Sequence, residues 1–238
     1  MVSLRAEDVT VAFGGNLALD SASIVAEPGR VTGLIGPNGA GKSTLFDVIC
    51  GLRRPRYGRV LLDGRNVTRH GPARRARNGM ARTFQRLELF GRLSVRENLL
   101  VAAELGARRR RATHVVSGLL ETLGLEAVAD SPADALPTGV ARLVEVGRAL
   151  AAGPRLLLLD EPAAGQDESE TRRFGDLLRS LAAEGMTVIL VEHDMSLVME
   201  VCDEVYVLDL GRNIASGPPA AIRENETVLA AYLGDRDA

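Results

Sequence analysis

The stretch from Gly36 to Thr44, GPNGAGKST, has the residue types and the spacing of a phosphate-binding loop. Its glycines allow successive backbone N–H groups to point inward, and the helix expected to follow adds its positive end. Lys42 would place a compact charge on the β- and γ-phosphates of a nucleotide, and the Ser43 hydroxyl would bind Mg²⁺. The residues assigned to the nucleotide here are Gly36, Asn38, Gly39, Ala40, Gly41, Lys42, Ser43 and Thr44.

Lys42 is the only lysine among the 29 basic residues of the chain, and all the others are arginines. Such a bias indicates that arginine cannot serve at position 42. A guanidinium is a wide planar fork, whereas an ammonium is a point charge that fits inside a ring of backbone amides around one phosphate. The composition therefore supports direct contact between Lys42 and phosphate.

Polar side chains follow three further apolar segments of the chain. Asp160 and Glu161 end the run LLLLDEP, where an acidic pair alone would suit a helix-capping turn. Beside a phosphate-binding loop, Asp160 is predicted to bind Mg²⁺ through water and Glu161 to polarise the attacking water. His193 follows VILVE at the carboxyl end of another predicted strand, so a γ-phosphate contact is favoured over a polar cap. Gln85, which leaves the short strand GMARTFQ, could sense Mg²⁺ or water.

The periodicity of the chain changes twice, and the changes predict its architecture. Strand patterns fill the first third, with a hairpin turn at Asp63-Gly64, and helical patterns begin at Ser94, whose spacing to Glu97 is that of a capping box. Buried strands and an amphipathic helix then alternate, before the hairpin EVYVLDLGRNIASG and two short helices. This order predicts a parallel αβα sheet with a helical lobe inserted at about 87–152.

The composition of the chain limits the class of protein and its expected location in the cell. The 238 residues are 46% hydrophobic and 25% charged with a net charge of −2, which gives no reason to expect nucleic acid as a partner. Cys50 and Cys202 lie in apolar runs and are predicted to be buried, reduced thiols. The alternating first residues predict a strand rather than a signal peptide, and no apolar stretch approaches the ~20 residues that span a bilayer. We therefore expect a soluble protein of the cytoplasm.

Three other polar features remain without an assigned function. The run Arg108–Arg111 is interpreted as a solvated loop of the helical lobe, with contact to phospholipid head groups as the alternative. His70 and His114 occur in loop or helix-start contexts, and no role is assigned to either.

Over essentially the whole chain, these motifs resemble in their order the nucleotide-binding subunit of ABC transporters. GPNGAGKS corresponds to Walker A, Gln85 to the Q-loop, LLLLDEP to Walker B and His193 to the switch histidine. The resemblance implies that Phe13, ahead of the loop, stacks on adenine. It also implies an α/β fold with a P-loop NTPase αβα core, an N-terminal antiparallel β layer and an inserted helical lobe, in a single domain over 1–238.

The segments FGGNLAL, ARTFQRLELF, DEPAAG, VEHDMSLVM and VLAAYLG are most similar to the ATP-binding subunit of branched-chain amino acid importers. Urea and amide importers share most of these features, and the lipopolysaccharide-export ATPase is a more distant relative. The resemblance implies ATP and Mg²⁺ as cofactors and two ATPase subunits, different or identical, that sandwich two ATPs. It also implies transmembrane permease subunits, an indirect link to a substrate-binding protein, and a position on the inner face of the bacterial membrane.

One motif departs from the family. The signature L-S-G-G-Q appears here as LPTGV, so that Pro137 replaces the serine that contacts the γ-phosphate and Val140 replaces glutamine. Gly139 is retained at the start of a predicted helix, where it is assigned to the nucleotide, and the D-loop stretch AGQD is nearer the usual pattern. The departure is either a tolerated variant or a weakened half-site.

Two other classes of protein fit less well. A soluble ABC ATPase acting on ribosomes or DNA usually carries two cassettes or a long coiled-coil insertion, whereas this chain has one cassette and a short lobe. A P-loop kinase would give no reason for the acidic pair together with His193 and a signature helix.

Overall fold

The computed structural model describes residues 3–105 and 111–233, so that of the run Arg108–Arg111 only Arg111 lies within the described part. An antiparallel sheet of four strands in the order β2-β1-β4-β5 covers one side of the molecule. Its strands are β1 (Leu4–Phe13), β2 (Asn16–Ala26), β4 (Tyr57–Leu62) and β5 (Arg65–Asn66). The turn at Asp63-Gly64 joins the last two strands, as predicted.

A second sheet of six strands forms the centre, in the order β10-β9-β3-β8-β7-β6. Its strands are β3 (Val31–Ile35), β6 (Met80–Arg82), β7 (Leu156–Asp160), β8 (Thr187–Val191), β9 (Glu204–Asp209) and β10 (Arg212–Gly217). All neighbours pair in parallel except β9 and β10, which form the predicted closing hairpin. Every residue of β3, β7 and β8 is buried, as expected of parallel strands covered on both faces.

Nine α-helices lie in the described ranges, and some of them cover the faces of the central sheet. They are α1 (Lys42–Cys50), α2 (Pro72–Arg77), α3 (Val95–Leu105), α4 (Ala112–Thr122), α5 (Thr138–Ala151), α6 (Glu168–Ala183), α7 (Met195–Val201), α8 (Pro219–Arg223) and α9 (Glu226–Leu233). Successive leucines of β7 point to opposite faces: Leu156 and Leu158 pack with α1 and the antiparallel sheet, and Leu157 and Leu159 pack with α6 and α7. The predicted α/β class, with its antiparallel layer, is confirmed.

Between β6 and β7 the described chain is helical, with its own apolar core formed by α3, α4 and α5. The capping box at the start of α3 is present, since the Ser94 N–H donates to Glu97 Oε2 at 2.8 Å and the Glu97 N–H donates to Ser94 Oγ at 3.2 Å. Both cysteines are buried free thiols, as predicted, and burial raises the pKa of Cys50 to about 11 and that of Cys202 to about 12. None of the helices in the described part is both long and apolar enough to span a bilayer.

Candidate active site

The loop from Gly36 to Gly41 joins β3 to α1, and its backbone requires glycine at both ends. Gly36 has a φ of 148°, and a Cβ there would lie 2.0 Å from the carbonyl oxygen of Leu208. Gly41 has a φ of 103°, and a Cβ there would lie 2.7 Å from the carbonyl oxygen of Ala18. The strand–loop–helix context that the motif demands is therefore present.

Gly41 is the N-cap of α1 and brings no side chain to cap it, so the first N–H groups of the helix are left for an external acceptor. The Lys42 ammonium lies inside the loop, where Nζ donates to the carbonyl oxygens of Gly36 at 2.5 Å and Pro37 at 2.9 Å. Burial lowers the pKa of Lys42, while the charges of Glu161 and Asp160 act in the opposite direction. Both carboxylates therefore lie within electrostatic reach of the loop.

Three of the predicted residues meet beside this loop. Glu161 Oε1 lies 2.8 Å from His193 Nε2, and Gln85 Nε2 donates to the two carboxylate oxygens of Glu161 at 3.4 and 3.3 Å. They come from the carboxyl ends of β6, β7 and β8, which are adjacent in the sheet. The backbone of Glu161 has a φ of 52°, a conformation that is costly for a residue with a side chain and that concentrates at functional sites.

Asp160, the last residue of β7, is held by an arginine that the sequence analysis did not single out. Asp160 is 3% exposed, and its Oδ2 accepts a hydrogen bond from Arg82 at 2.9 Å. The other end of the Arg82 guanidinium donates to Asp47 Oδ1 on α1 at 2.7 Å. Burial raises the pKa of Asp160, and the hydrogen bond from Arg82 opposes this shift. A basic residue inside the short apolar strand GMARTFQ was the available signal.

The helix that begins within LPTGV, α5, is tied to the loop that carries Gln85. Arg142 of α5 donates to the carbonyl oxygens of Phe84, at 2.9 Å, and of Gln85. Arg142 also pairs with Glu145 at 3.0 Å, and Glu145 Oε1 accepts from the Glu88 N–H at 3.0 Å. The start of α5 and the Gln85 loop are thereby joined by buried, charge-assisted hydrogen bonds.

The signature stretch lies at the N-terminus of this helix. Pro137 is the N-cap, and it makes no side-chain capping hydrogen bond. Thr138 is exposed, whereas Gly139 is buried against the loop after β7, where a Cβ would lie 3.3 Å from Gln166 Cγ. Gly139 is therefore not part of the cluster formed by Glu161, His193 and Gln85.

Phe13 lies at the end of β1, away from that cluster in sequence but next to the turn that leads into β2. Its side chain is 45% exposed, and the guanidinium carbon of Arg53 lies 4.2 Å from the ring centroid. The ring therefore already accepts a planar cation on its π face and is accessible for stacking.

The order of the sheet and the position of the glycine loop between β3 and α1 are those of the P-loop class of nucleotide-binding proteins. A family model described as ABC transporter matches residues 19–164, and one described as branched-chain amino acid ATP-binding cassette transporter matches residues 212–238. The chain belongs to the family of ABC transporter ATP-binding proteins.

Known relatives match this chain over nearly its whole length. The chain is 36% identical over 249 residues to the high-affinity branched-chain amino acid transport ATP-binding protein BraF of Pseudomonas aeruginosa, with 98% of each chain covered. It is 36% identical over 253 residues to LivG of Escherichia coli K12, a protein of the same description, again with 98% of each covered. The solved ADP conformation of MJ1267, an ATP-binding cassette of an ABC transporter, superposes with a TM-score of 0.87 at 33% identity, covering 98% of this chain and 99% of that one.

Membership of this family settles the class of activity. The chain binds nucleotide and is an ATPase whose hydrolysis is coupled to transport, and subunits of this family work with transmembrane permease subunits.

Proposed function

We propose that this chain is the ATP-hydrolysing subunit of an importer for branched-chain amino acids. The observation that carries the choice of substrate is the match of residues 212–238 to the C-terminal model of that importer group. The similarity to BraF and LivG, both ATP-binding proteins of branched-chain amino acid transport, supports the same substrate. Urea or amide import and lipopolysaccharide export are the alternatives within the family.

The nucleotide would lie along the loop between β3 and α1. The unpaired N–H groups at the start of α1 and the Lys42 ammonium are positioned to neutralise phosphate oxygens. Asn38, Gly39, Ala40 and Thr44 belong to the same loop and first turn. Phe13 would stack on adenine through its exposed ring. Gly139 would serve an ATP held by a second subunit, through the N-terminus of α5.

Oxygen donors suitable for Mg²⁺ accompany this loop. The Ser43 hydroxyl is exposed, and the hydrogen bond from Arg82 to Asp160 occupies Oδ2 and leaves Oδ1. No group of three or more His, Cys, Asp and Glu in the described ranges could hold a metal by itself, which fits an ion bound largely by nucleotide phosphates. We propose Ser43, Asp160 and Gln85 as its protein ligands, directly or through water; such an ion neutralises phosphate charge.

Glu161 is the proposed general base. Its carboxylate would accept a hydrogen bond from the attacking water, and His193 would contact the γ-phosphate from the adjacent strand end. The 2.8 Å contact between Glu161 and His193 and the donation from Gln85 orient the carboxylate without enclosing it. These contacts hold the base at the side of the site where Lys42 lies.

The assembly follows from the family. We propose that the chain acts as a single domain, 1–238, with a helical lobe at about 87–152, on the inner face of the bacterial membrane. It would bind permease subunits directly, a second ATPase subunit head to tail, and a substrate-binding protein only indirectly. A different second subunit is favoured over a second copy because LPTGV departs from the family signature.

The test is transport by the purified complex of this chain with the permease subunits encoded beside it, reconstituted in proteoliposomes. ATP enclosed in the vesicles, on the side that carries the ATPase subunits, should drive uptake of leucine, isoleucine and valine into the lumen when the substrate-binding protein is added outside. Uptake of urea alone would contradict the proposed substrate. Full ATPase activity with no copurifying membrane subunit would indicate a soluble ABC ATPase instead.

The variant Glu161→Gln tests the catalytic assignment in the same complex. We expect ATP binding to persist and turnover to fall by at least about 100-fold, because an amide cannot accept the proton of water. Dimers formed with ATP should then persist. Glu184→Gln, at the exposed end of α6, is the matched control and should keep the parental rate. Loss of ATP binding in Glu161→Gln would show that Glu161 is structural.

A further inference from the structure

Glu192, next to His193, is a buried carboxylate without a cation. Its side chain is 5% exposed, and it forms no ion pair with any basic residue in ranges 3–105 and 111–233. Backbone N–H groups use its acceptors instead: that of Ala163 donates to Oε1 at 2.8 Å, that of His193 donates to Oε2 at 3.1 Å, and that of Asp194 also donates to the carboxylate. Burial raises the pKa of Glu192, and the nearby charge of Glu161 acts in the same direction. Burying a neutral side chain here would cost less free energy than burying a carboxylate, so the carboxylate at this position requires a further explanation.

The hydrogen bond from Ala163 joins the loops that carry the proposed catalytic groups, and those from His193 and Asp194 fix the carboxylate within its own loop. Pairing between β7 and β8 ends at Asp160 and Val191, followed by one more hydrogen bond, from the Glu161 N–H to the Val191 oxygen at 2.9 Å. Beyond that point the strands separate into loops. Glu192 bridges them again through Ala163, and the contact between Glu161 and His193 spans the same gap.

The loop held by Glu192 also reaches the signature helix. Ala163 is buried, and two residues later Gly165 lies against Thr138, since a Cβ at Gly165 would be 3.1 Å from Thr138 Cγ2. A displacement of the loop after β7 would therefore move Glu161 relative to His193 and would disturb the start of α5.

We propose that Glu192 is a positioning residue for ATP hydrolysis, whose carboxylate holds the loops after β7 and β8 so that Glu161 and His193 face each other. This inference rests on the proposed roles of Glu161 and His193. Glu192 itself touches neither nucleotide nor water in this scheme, and it acts through the geometry of those two residues.

The variant Glu192→Gln, in the purified transporter complex, tests the proposal. The amide is nearly isosteric but puts an NH₂ group against at least one of these backbone N–H donors, which weakens the bridge between the two loops. We expect kcat for ATP to fall by about 10- to 100-fold, the loss of one hydrogen bond to a charged group felt in the transition state. The KM for ATP should stay within about twofold. Glu200→Gln, on α7 and paired with Arg179 at the surface, is the matched control and should keep the parental kcat.

Hydrogen exchange gives a readout that does not depend on turnover. The amides of Ala163 and His193 should exchange at least about tenfold faster in Glu192→Gln, with the core strands unchanged. Glu192→Asp, which keeps the charge on a shorter side chain, should recover part of the lost kcat. An unchanged kcat with unchanged exchange, or parallel losses of kcat, ATP affinity and thermal stability, would overturn the proposal. If the parental complex has no ATPase activity, the proposed function fails, and the exchange of these two amides still decides whether Glu192 holds the loops.

Discussion

At the residue scale, the site depends on which cation stands at position 42. Lys42 is 7% exposed, and its ammonium lies within hydrogen-bond distance of two carbonyl oxygens of its own loop. A cation in this position must be small enough to share the space with a phosphate and the surrounding N–H groups. That requirement accounts for one lysine in a chain whose other basic residues are arginines.

The substitution Lys42→Arg should therefore lower ATP affinity or turnover by at least about tenfold, although the charge is conserved. The guanidinium is too wide and too planar for the space between the Gly36 and Pro37 carbonyls. Nucleotide binding and ATPase rates in the native complex measure the effect. Arg54→Lys, at an exposed position, is the reverse exchange and should change neither. Parental ATP hydrolysis by Lys42→Arg would contradict the explanation.

At the scale of secondary-structure elements, the catalytic groups are held by bridges between neighbouring elements. Arg82 of β6 joins Asp160 of β7 to Asp47 of α1, the helix that follows the phosphate-binding loop. Its guanidinium lies between aromatic rings, 5.4 Å from the centroid of Phe46 and 5.0 Å from that of Phe84. The carboxylate predicted to serve Mg²⁺ is thus fixed by contacts that also hold the loop helix in place.

The variant Arg82→Met should reduce the free energy of unfolding by about 3 kcal/mol, because it leaves Asp160 buried and without its cation. Urea denaturation followed by circular dichroism measures this loss. Arg179→Met removes a surface arginine that pairs with Asp176 and Glu200, and its cost should stay below about 1 kcal/mol. Equal effects of the two variants would show that the Arg82 bridge contributes no more than a surface pair.

At the scale of the whole molecule, we propose that the chain offers two unequal half-sites to an assembly. It carries its own phosphate-binding loop, acidic pair and His193, so the ATP on this chain would be completed by the signature of a second subunit. The ATP on the second subunit would instead meet α5, whose N-cap is Pro137. Proline has no hydroxyl to offer a γ-phosphate, and the hydroxyl of the exposed Thr138 could replace part of this contact.

In the purified heteromer, we therefore expect turnover to depend mainly on the catalytic glutamate of this chain. A lost hydrogen bond to a charged group costs ~1.5–3 kcal/mol, or roughly ten- to hundredfold in rate if it is felt in the transition state. Glu161→Gln should abolish most ATPase activity, and the corresponding change in the other subunit should cost little. Equal losses, or a fully active homodimer of this chain, would contradict the asymmetry.

By itself, the sequence determined the class of this protein and most of its candidate site. The apolar runs that end in a glycine loop, an acidic pair or a histidine are local patterns of the sequence. Because a parallel sheet brings the carboxyl ends of its strands to one edge, these patterns also predict that the groups lie close together. Tertiary structure alone decided what holds these groups: Arg82 meets a residue 78 positions away, and Glu192 meets one 29 positions away.

The short helix α2 was missed because PARRAR has no apolar face; it packs through Arg75, a fully buried arginine that donates to the backbone oxygens of Val48 and Val67. Such contacts depend on the directions in which side chains point from separate elements, so they cannot be predicted from the local periodicity of the sequence.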